Sequence, residues 1–598
     1  MAEPVQSQDD PDGIEQISDL PGSPGPLADS CGNPTNAELP EPQTPIFEGL
    51  YPVALPAVSL LGARNDLPNP YDAGTHWGSL PDGRVWGSTA GISRAPDGTI
   101  WAIDRCGQTG AGGASCLDSE LDPILQFDQS GAVLQQFGKS LVVSPHKITV
   151  SPDGNVWVAD NGQADEKGQV VLKFSPDGEL LMTLGTPGVA GTEPSGFVRT
   201  WRTDSGLYVP NDSNEDTSLR ESDTLDVDSQ TNVVNIDGTE TTTESVTFTS
   251  PTEVAVNRAG DIYVADGHVG GGGALGNARV LKFDLDGNLV HVWGRKGMGA
   301  GEFDVVHSIA VDSQGYVYVG DRQNNRIQIF DGDGHFFDVW YQFGRPSGIY
   351  IDENDIMYVA DSESRDGRTN IGRAGLPTTG YGFNLGARRG IRIGSVKDGR
   401  VTTFIPDPCP YPYAGVSTLA EGVTTDNDGN VYAADYLGTV RKFKTLPMVA
   451  RLRMDNDRQK AAQSIQVERA GLFTHVDLKV NRIGTPTGTF WMTLEADSGG
   501  APSGTPLATS DKFYSHDLST IASDIRFHFS DPATVATSTT YWMVLQGTAT
   551  IDGSNYVRIY GDLTGGYANG TSSLYGISGW GNEASDYYMR PFVTVASN

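Results

Sequence analysis

The stretch KITVSPDGNVWVAD, residues 147–160, decides the fold, because the chain repeats it. A short alternating run, KITV, is followed by an Asp/Gly turn and a second apolar run that ends in Asp. This is how a tight β-hairpin reads in sequence. The phrase returns as GISRAPDGTIWAID (91–104), EVAVNRAGDIYVAD (253–266), SIAVDSQGYVYVGD (308–321), GIYIDENDIMYVAD (348–361) and GVTTDNDGNVYAAD (422–435). Third and fourth strands follow in several copies, as in VLKFSPDGELLMTLG (171–185) and VLKFDLDGNLVHVWG (280–294). Four short strands per unit, repeated six times, predict a six-bladed β-propeller.

Working outward, the sixth unit stops at VRKF (440–443) without a fourth strand, while AVSLLG (57–62) stands ahead of the first unit. The expectation is that Ala57–Gly62 completes the sixth blade and removes an open sheet edge. Residues 186–248 and 362–390 are insertions expected at one rim, the first a solvated acidic loop and the second a wall of the channel mouth. Residues 1–50 are rich in Pro, Asp, Ser and Gly and read as an irregular arm, with the propeller spanning 51–446. From residue 447 to 598 the alternating runs lengthen (HVDLKVNRI, TFWMTLEAD, YWMVLQGTA), which predicts a β-sandwich, so the fold class is all-β. The segments GTPTGTFWMTLEADSGGAPSGTPLATS and STTYWMVLQG resemble the jelly-roll-like sandwiches appended to secreted bacterial and phage proteins. That resemblance implies an accessory that binds a glycan or surface. Trp491, Trp542 and Trp580 are expected mainly in its core.

The net charge of −34 argues against nucleic acid and anionic membranes as partners. No run is long and apolar enough for a membrane span. The four cysteines include no CxxC pair; Cys106 with Cys116 is the preferred disulfide, leaving Cys31 for Cys409. These features predict an extracellular or periplasmic protein. The opening MAEPVQSQDD has no apolar h-region, so a mature form with an added Met1 is expected.

Because the unit recurs, equivalent positions can be compared between blades. The Asp that ends the second strand is present in all six (Asp104, Asp160, Asp266, Asp321, Asp361, Asp435) and is therefore assigned a structural role. Eleven residues before the aromatic of the second strand lies the start of the innermost strand, and there the blades differ: Ala90, His146, Thr252, His307, Ser347 and Glu421. The three potential ligands fall in alternate blades, about 120° apart around a six-fold ring. Two imidazoles and a carboxylate converging with an open position suit zinc, or another divalent transition metal such as iron or manganese. A second set follows the structural Asp: Arg105, Arg322 and, after Gly267, His268. Two arginines there would form a carboxylate clamp.

The runs 122–160, PTEVAVNRAGDIYVADGH (251–268) and VVHSIAVDSQGYVYVGDRQNNRIQIF (305–330) resemble peptidyl-α-hydroxyglycine α-amidating lyase and related bacterial NHL-repeat proteins. The resemblance covers roughly residues 85–445. It implies a six-bladed propeller with zinc on three channel histidines, substrate-binding arginines, a catalytic tyrosine and a nearby structural calcium. By position, His146 and His307 take the first two histidine places, and Arg105 and Arg322 the arginines. Three places differ. Glu421 stands for the third histidine, Gly422 for the aspartate of the calcium site, and His268 for the tyrosine, as base or further ligand. The expected activity is a metal-dependent lyase cleaving a carbinolamide or related carbon–heteroatom bond. The alternatives are metal-dependent polysaccharide cleavage and a non-catalytic binding propeller. The substrate is accordingly a small molecule, peptide or polymer.

Overall fold

The computed structural model describes residues 62–594 apart from 109–114, 192–232, 235–239, 242–245, 269–276, 365–383, 385–386, 408–419, 436–437, 453–459, 468–469, 549–553, 563–571, 577–578, 583–585 and positions 64, 66, 73, 82, 519, 521 and 588. Cys31 and Cys409, residues 57–61 and most of the two blade insertions lie outside this set. The chain divides into two compact units, Gly74–Phe443 with the residues up to Asn65, and Lys444–Asn598 with Asp66–Ala73.

Among the described residues the first unit holds six four-stranded antiparallel sheets, five of them read in chain order from the inside outward. The second blade is typical: Pro145–Val150, Val156–Ala164, Lys167–Phe174 and Leu180–Leu184. Its two inner strands are mostly buried, whereas Leu180–Leu184 is largely exposed, as an outermost strand should be. Each innermost strand packs beside the next, and Gly91–Arg94 of the first blade meets Gly422–Thr425 of the sixth, which closes the ring. Apolar layers between neighbouring blades supply the cores. Trp101, Ile103, Val156 and Phe174 share one, and Trp157, Phe248, Ile262 and Phe283 share the next.

The sixth blade is completed as expected, but not by the expected strand. Its outer edge, Thr439–Phe443, pairs antiparallel with Thr75–Trp77, with His76 opposite Arg441. Trp77 then packs edge-on against Tyr432 at 4.8 Å and beside Phe127, binding the sixth blade to the first. One indole thus reaches the aromatic layers of two blades.

In every blade the Asp at the end of the second strand is buried. In four of them its carboxylate accepts the backbone N–H seventeen residues earlier, from Gly87, Val143, Thr249 and Asp304. Asp361 takes the N–H of Arg345, sixteen back. The aspartates therefore stitch the lead-in of the innermost strand to the exit of the second. Cys106 and Cys116 form a disulfide.

The second unit consists of two seven-stranded sheets. Side chains from both, including Phe473, Val476 and Ile559 of one and Met492, Leu494 and Met543 of the other, enclose a single apolar core. Trp542 is buried and donates to Asp497, consistent with a core role, while Trp491 lies under Lys512. The side chain of Trp580 is outside the described set. Among the described residues no helix is long and apolar enough to cross a membrane.

Candidate metal centre

Three imidazoles meet at the propeller axis. The ligand nitrogens of His146, His268 and His307 all lie within 4.8 Å of one another. Their ring centroids are 4.7 Å (146–268), 4.8 Å (146–307) and 5.0 Å (268–307) apart. His146 and His307 are buried; His268 is the most open of the three.

Local backbone explains the aim of each ring. His146 and His307 sit at register shifts in the pairing of the two inner strands, between Pro145 and Lys147 and between Val306 and Ser308. A bulge of this kind turns one side chain out of the alternating pattern, here toward the axis. Thr252, the equivalent residue of the third blade, sits at the same shift. Two residues ahead, Val305 and Ser250 have φ of 60° and 62°, a left-handed conformation that a β-branched residue such as valine rarely adopts. The carbonyls so turned accept the N–H groups of Arg322 (from Val305) and His268 (from Ser250). One kink thus positions both the inner-strand residue and the residue at the second-strand exit. Gly267 completes the arrangement. Its φ is 146°, and a Cβ at this position would lie 2.1 Å from the Asn277 carbonyl oxygen, so no side chain fits there.

Hydrogen bonds fix the tautomers. His307 Nδ1 donates to the Ser347 carbonyl at 2.7 Å, and His146 Nδ1 to the Thr252 carbonyl at 3.0 Å. Each leaves Nε2 as the lone-pair nitrogen, the pattern that orients a metal-ligating histidine. Nε2 of His307 is buried and makes no hydrogen bond among the described residues. Burial, and then the neighbouring histidines and the cations Arg105, Arg322 and Lys147, hold His146 and His307 well below the usual histidine range. Burial with Arg322 and Arg105 pushes His268 down to about 3. All three are neutral at physiological pH, the state a metal requires. The donor set therefore fits a divalent transition ion.

Glu421, expected as the third ligand, stands beside this trio. Its Oε2 is 3.7 Å from His307 Nε2, and its Oε1 accepts from Ser362 Oγ at 2.9 Å. Ser362 Oγ also meets Ser347 Oγ at 2.8 Å, so Ser347, the fifth-blade channel residue, joins the same network. His268, expected as base or further ligand, is the third member of the cluster. Unlike His146 and His307, which lie at the start of innermost strands, His268 comes from the exit of a second strand, Ile262–Asp266.

The expected arginines are both buried beside the cluster. Arg105 Nε donates to the Pro145 carbonyl at 3.1 Å, next to His146. Arg322 Nη1 lies 3.5 Å from Glu363 Oε1. Gly422, standing where the calcium-site aspartate would be, instead permits close strand packing, since a Cβ there would come within 2.7 Å of the Ala90 carbonyl.

One channel feature was not foreseen. Lys147 and Glu253, each following a channel residue, are buried at the axis, and Lys147 Nζ donates to the Glu421 carbonyl. Burial pushes Lys147 down and Glu253 up to about 7. Their charges, adjacent in sequence to His146 and Thr252, were the available signal.

Fold and cluster together define a β-propeller with a histidine-lined axial site. Comparison with known proteins agrees with that class: the NHL repeat family matches residues 303–330, which include His307 and Arg322. The chain is 30% identical over 221 residues to human NHL repeat-containing protein 3, covering 36% of this chain and 48% of that protein. It is 26% identical over 202 residues to a probable peptidyl-alpha-hydroxyglycine alpha-amidating lyase of Caenorhabditis elegans, covering 33% of this chain and 40% of that one. The Drosophila melanogaster lyase 1 of the same name is 26% identical over 213 residues, covering 34% and 28%. The chain thus spans about half the length, or less, of these curated relatives. Among solved structures it is similar to a streptogramin B lyase, with TM-score 0.32 and 14% identity over 62% of this chain and 98% of that one. The chain carries an NHL repeat and is homologous over part of its length to NHL-repeat proteins and amidating lyases.

Proposed function

We propose that the protein is a secreted, metal-dependent lyase that cleaves a carbinolamide or related carbon–heteroatom bond at the propeller axis. The observation that carries this reading is the trio of neutral imidazoles within 4.8 Å, two of them oriented by backbone carbonyls. The amidating lyases among its relatives support the reaction class. When bound, a divalent ion, zinc by preference for this donor set, would supply polarisation of a substrate oxygen.

His146, His307 and either His268 or Glu421 would hold the ion. Whichever of the latter pair is not a ligand is placed to take the carbinol proton, since both adjoin His307. Loss of that O–H proton lets the carbon–oxygen double bond form as the carbon–nitrogen bond breaks, and the departing nitrogen takes up a proton. Arg105, beside His146, would orient the substrate.

The test is metal content by mass spectrometry of untagged protein, paired with an assay of carbonyl product from hydroxyglycine-type amides. Near one equivalent of metal in the wild type, lost in His307→Ala together with turnover, is the expected outcome. A metal-free wild type that binds no added zinc would sink the reading and leave a binding propeller.

A further inference from the structure

The second-strand exits form a ring of their own, and its fifth-blade member changes what the site can accept. His268 is the second residue after Asp266; in the same register after Asp361 stands Glu363. Glu363 is buried, and its two carboxylate oxygens face two buried guanidinium groups. Oε2 accepts from Arg345 Nε at 3.0 Å, and Oε1 lies 3.5 Å from Arg322 Nη1. Arg345 is itself fixed, because its Nη1 donates to the Arg322 carbonyl at 2.9 Å and its Nη2 to Gln323. Its backbone N–H is held by Asp361. Glu363 is tied to the same carboxylate through its own N–H.

This is the arrangement a bound carboxylate would make with an arginine pair, formed instead by a side chain of the protein. A ligand carboxylate arriving at Arg322 would either sit beside the buried Glu363 carboxylate or take Arg322 away from it, and both are unfavourable in a buried site. We infer that Glu363 is a specificity-determining residue that fills the carboxylate seat beside the histidine cluster, so that the site takes a neutral amide or ester in preference to a free acid. This rests on the lyase reading for the reaction, but on the ion-pair geometry alone for the preference.

The binding experiment uses full-length, metal-free protein and two probes of equal size, N-acetylglycine and N-acetylglycinamide, measured by calorimetry. Wild-type protein is expected to bind the amide at least about ten-fold more tightly than the acid. Glu363→Gln should raise affinity for the acid by about ten-fold or more and change that for the amide little. Glu363→Asp, which keeps the charge, should retain the wild-type preference. Acid bound by the wild type as tightly as amide overturns the inference, as does an unchanged ratio in folded Glu363→Gln or binding of neither probe. Should Glu363→Gln fail to fold, the wild-type ratio decides alone.

Turnover by zinc-loaded wild type is scored separately. Equal carbonyl release from free-acid and amide-blocked carbinolamides overturns the inference and leaves the lyase reading standing. Release from neither removes the lyase reading, and the binding ratio still decides the preference.

Discussion

The ring of aspartates and the trio of histidines are carried by the same two inner strands of the blades, yet they obey different rules. Asp321 recurs in every blade and has every partner it needs: the Asp304 N–H at 2.7 Å, Arg326 Nε at 2.7 Å and the Asn324 amide. His307 has no counterpart in four of the six blades, and its Nε2 makes no hydrogen bond among the described residues. Buried polar groups in native proteins are almost always hydrogen-bonded. Where one is repeated and satisfied, it serves the fold; where one is unrepeated and left open toward like neighbours, it points to a ligand.

Substitution should separate the two most sharply. Asp321→Ala leaves Arg326 buried without its carboxylate and frees the lead-in to the fourth blade, a loss of about 3–5 kcal/mol. The thermal midpoint should fall steeply. His307→Ala removes one hydrogen bond to a carbonyl, about 1 kcal/mol, yet should abolish metal uptake. Thermal denaturation and metal analysis of both variants check the pair. A His307→Ala protein as unstable as Asp321→Ala would erase the distinction.

That same contrast governed what could be read from sequence. The hairpin has a constant length in each blade, so a fixed count from Trp157 or Tyr318 lands on His146 or His307. Repetition made six blades and these channel positions legible. Features that depend on departures from the repeat were harder to see. His268 reaches the axis only because Gly267 adopts a conformation closed to other residues. Glu363 shares its register, but its meaning lies in Arg345, whose position before the fifth blade gives no hint of an ion pair eighteen residues away. The closing strand Thr75–Trp77 is three residues long, too short for alternation to declare it. Lys147 and Glu253 look like ordinary exposed-face residues of a hairpin until the ring closes around them.

A pH series sharpens the comparison at intermediate size. Burial raises Asp160 and Asp321 to about 6, Asp321 despite its pairing with Arg326. The folded state therefore holds these protons more tightly than the unfolded chain does. Their contribution to stability is fully present below about pH 3.8, the unfolded value, and is lost as pH rises through about 6. The amide of Asp160→Asn cannot titrate, so in this variant the Asp160 share of the ramp should be lost while the Asp321 share remains. The stability difference between wild type and Asp160→Asn should shift in the wild type's favour as pH falls from 6 toward 4. The slope is at most about 1.4 kcal/mol per pH unit. Melting curves across that range measure it, and a constant difference would show that Asp160 titrates normally.

The smallest effect is expected where the two kinds of site meet. Ser362 follows the fifth-blade aspartate, as Arg105 and Arg322 follow theirs, but its hydroxyl bridges Ser347 and Glu421 Oε1. It belongs to the fold by position and to the cluster by contact. Ser362→Ala removes one hydrogen bond to a buried carboxylate, about 1 kcal/mol of stability. The carboxylate, no longer held at 2.9 Å by the hydroxyl, gains freedom to turn toward His307, now 3.7 Å away. If Glu421 ligates, zinc affinity should change several-fold in Ser362→Ala. If His268 is the third ligand, affinity should stay constant while the melting midpoint drops slightly. Competitive zinc titration of this one variant therefore assigns the third ligand without altering any of the candidates.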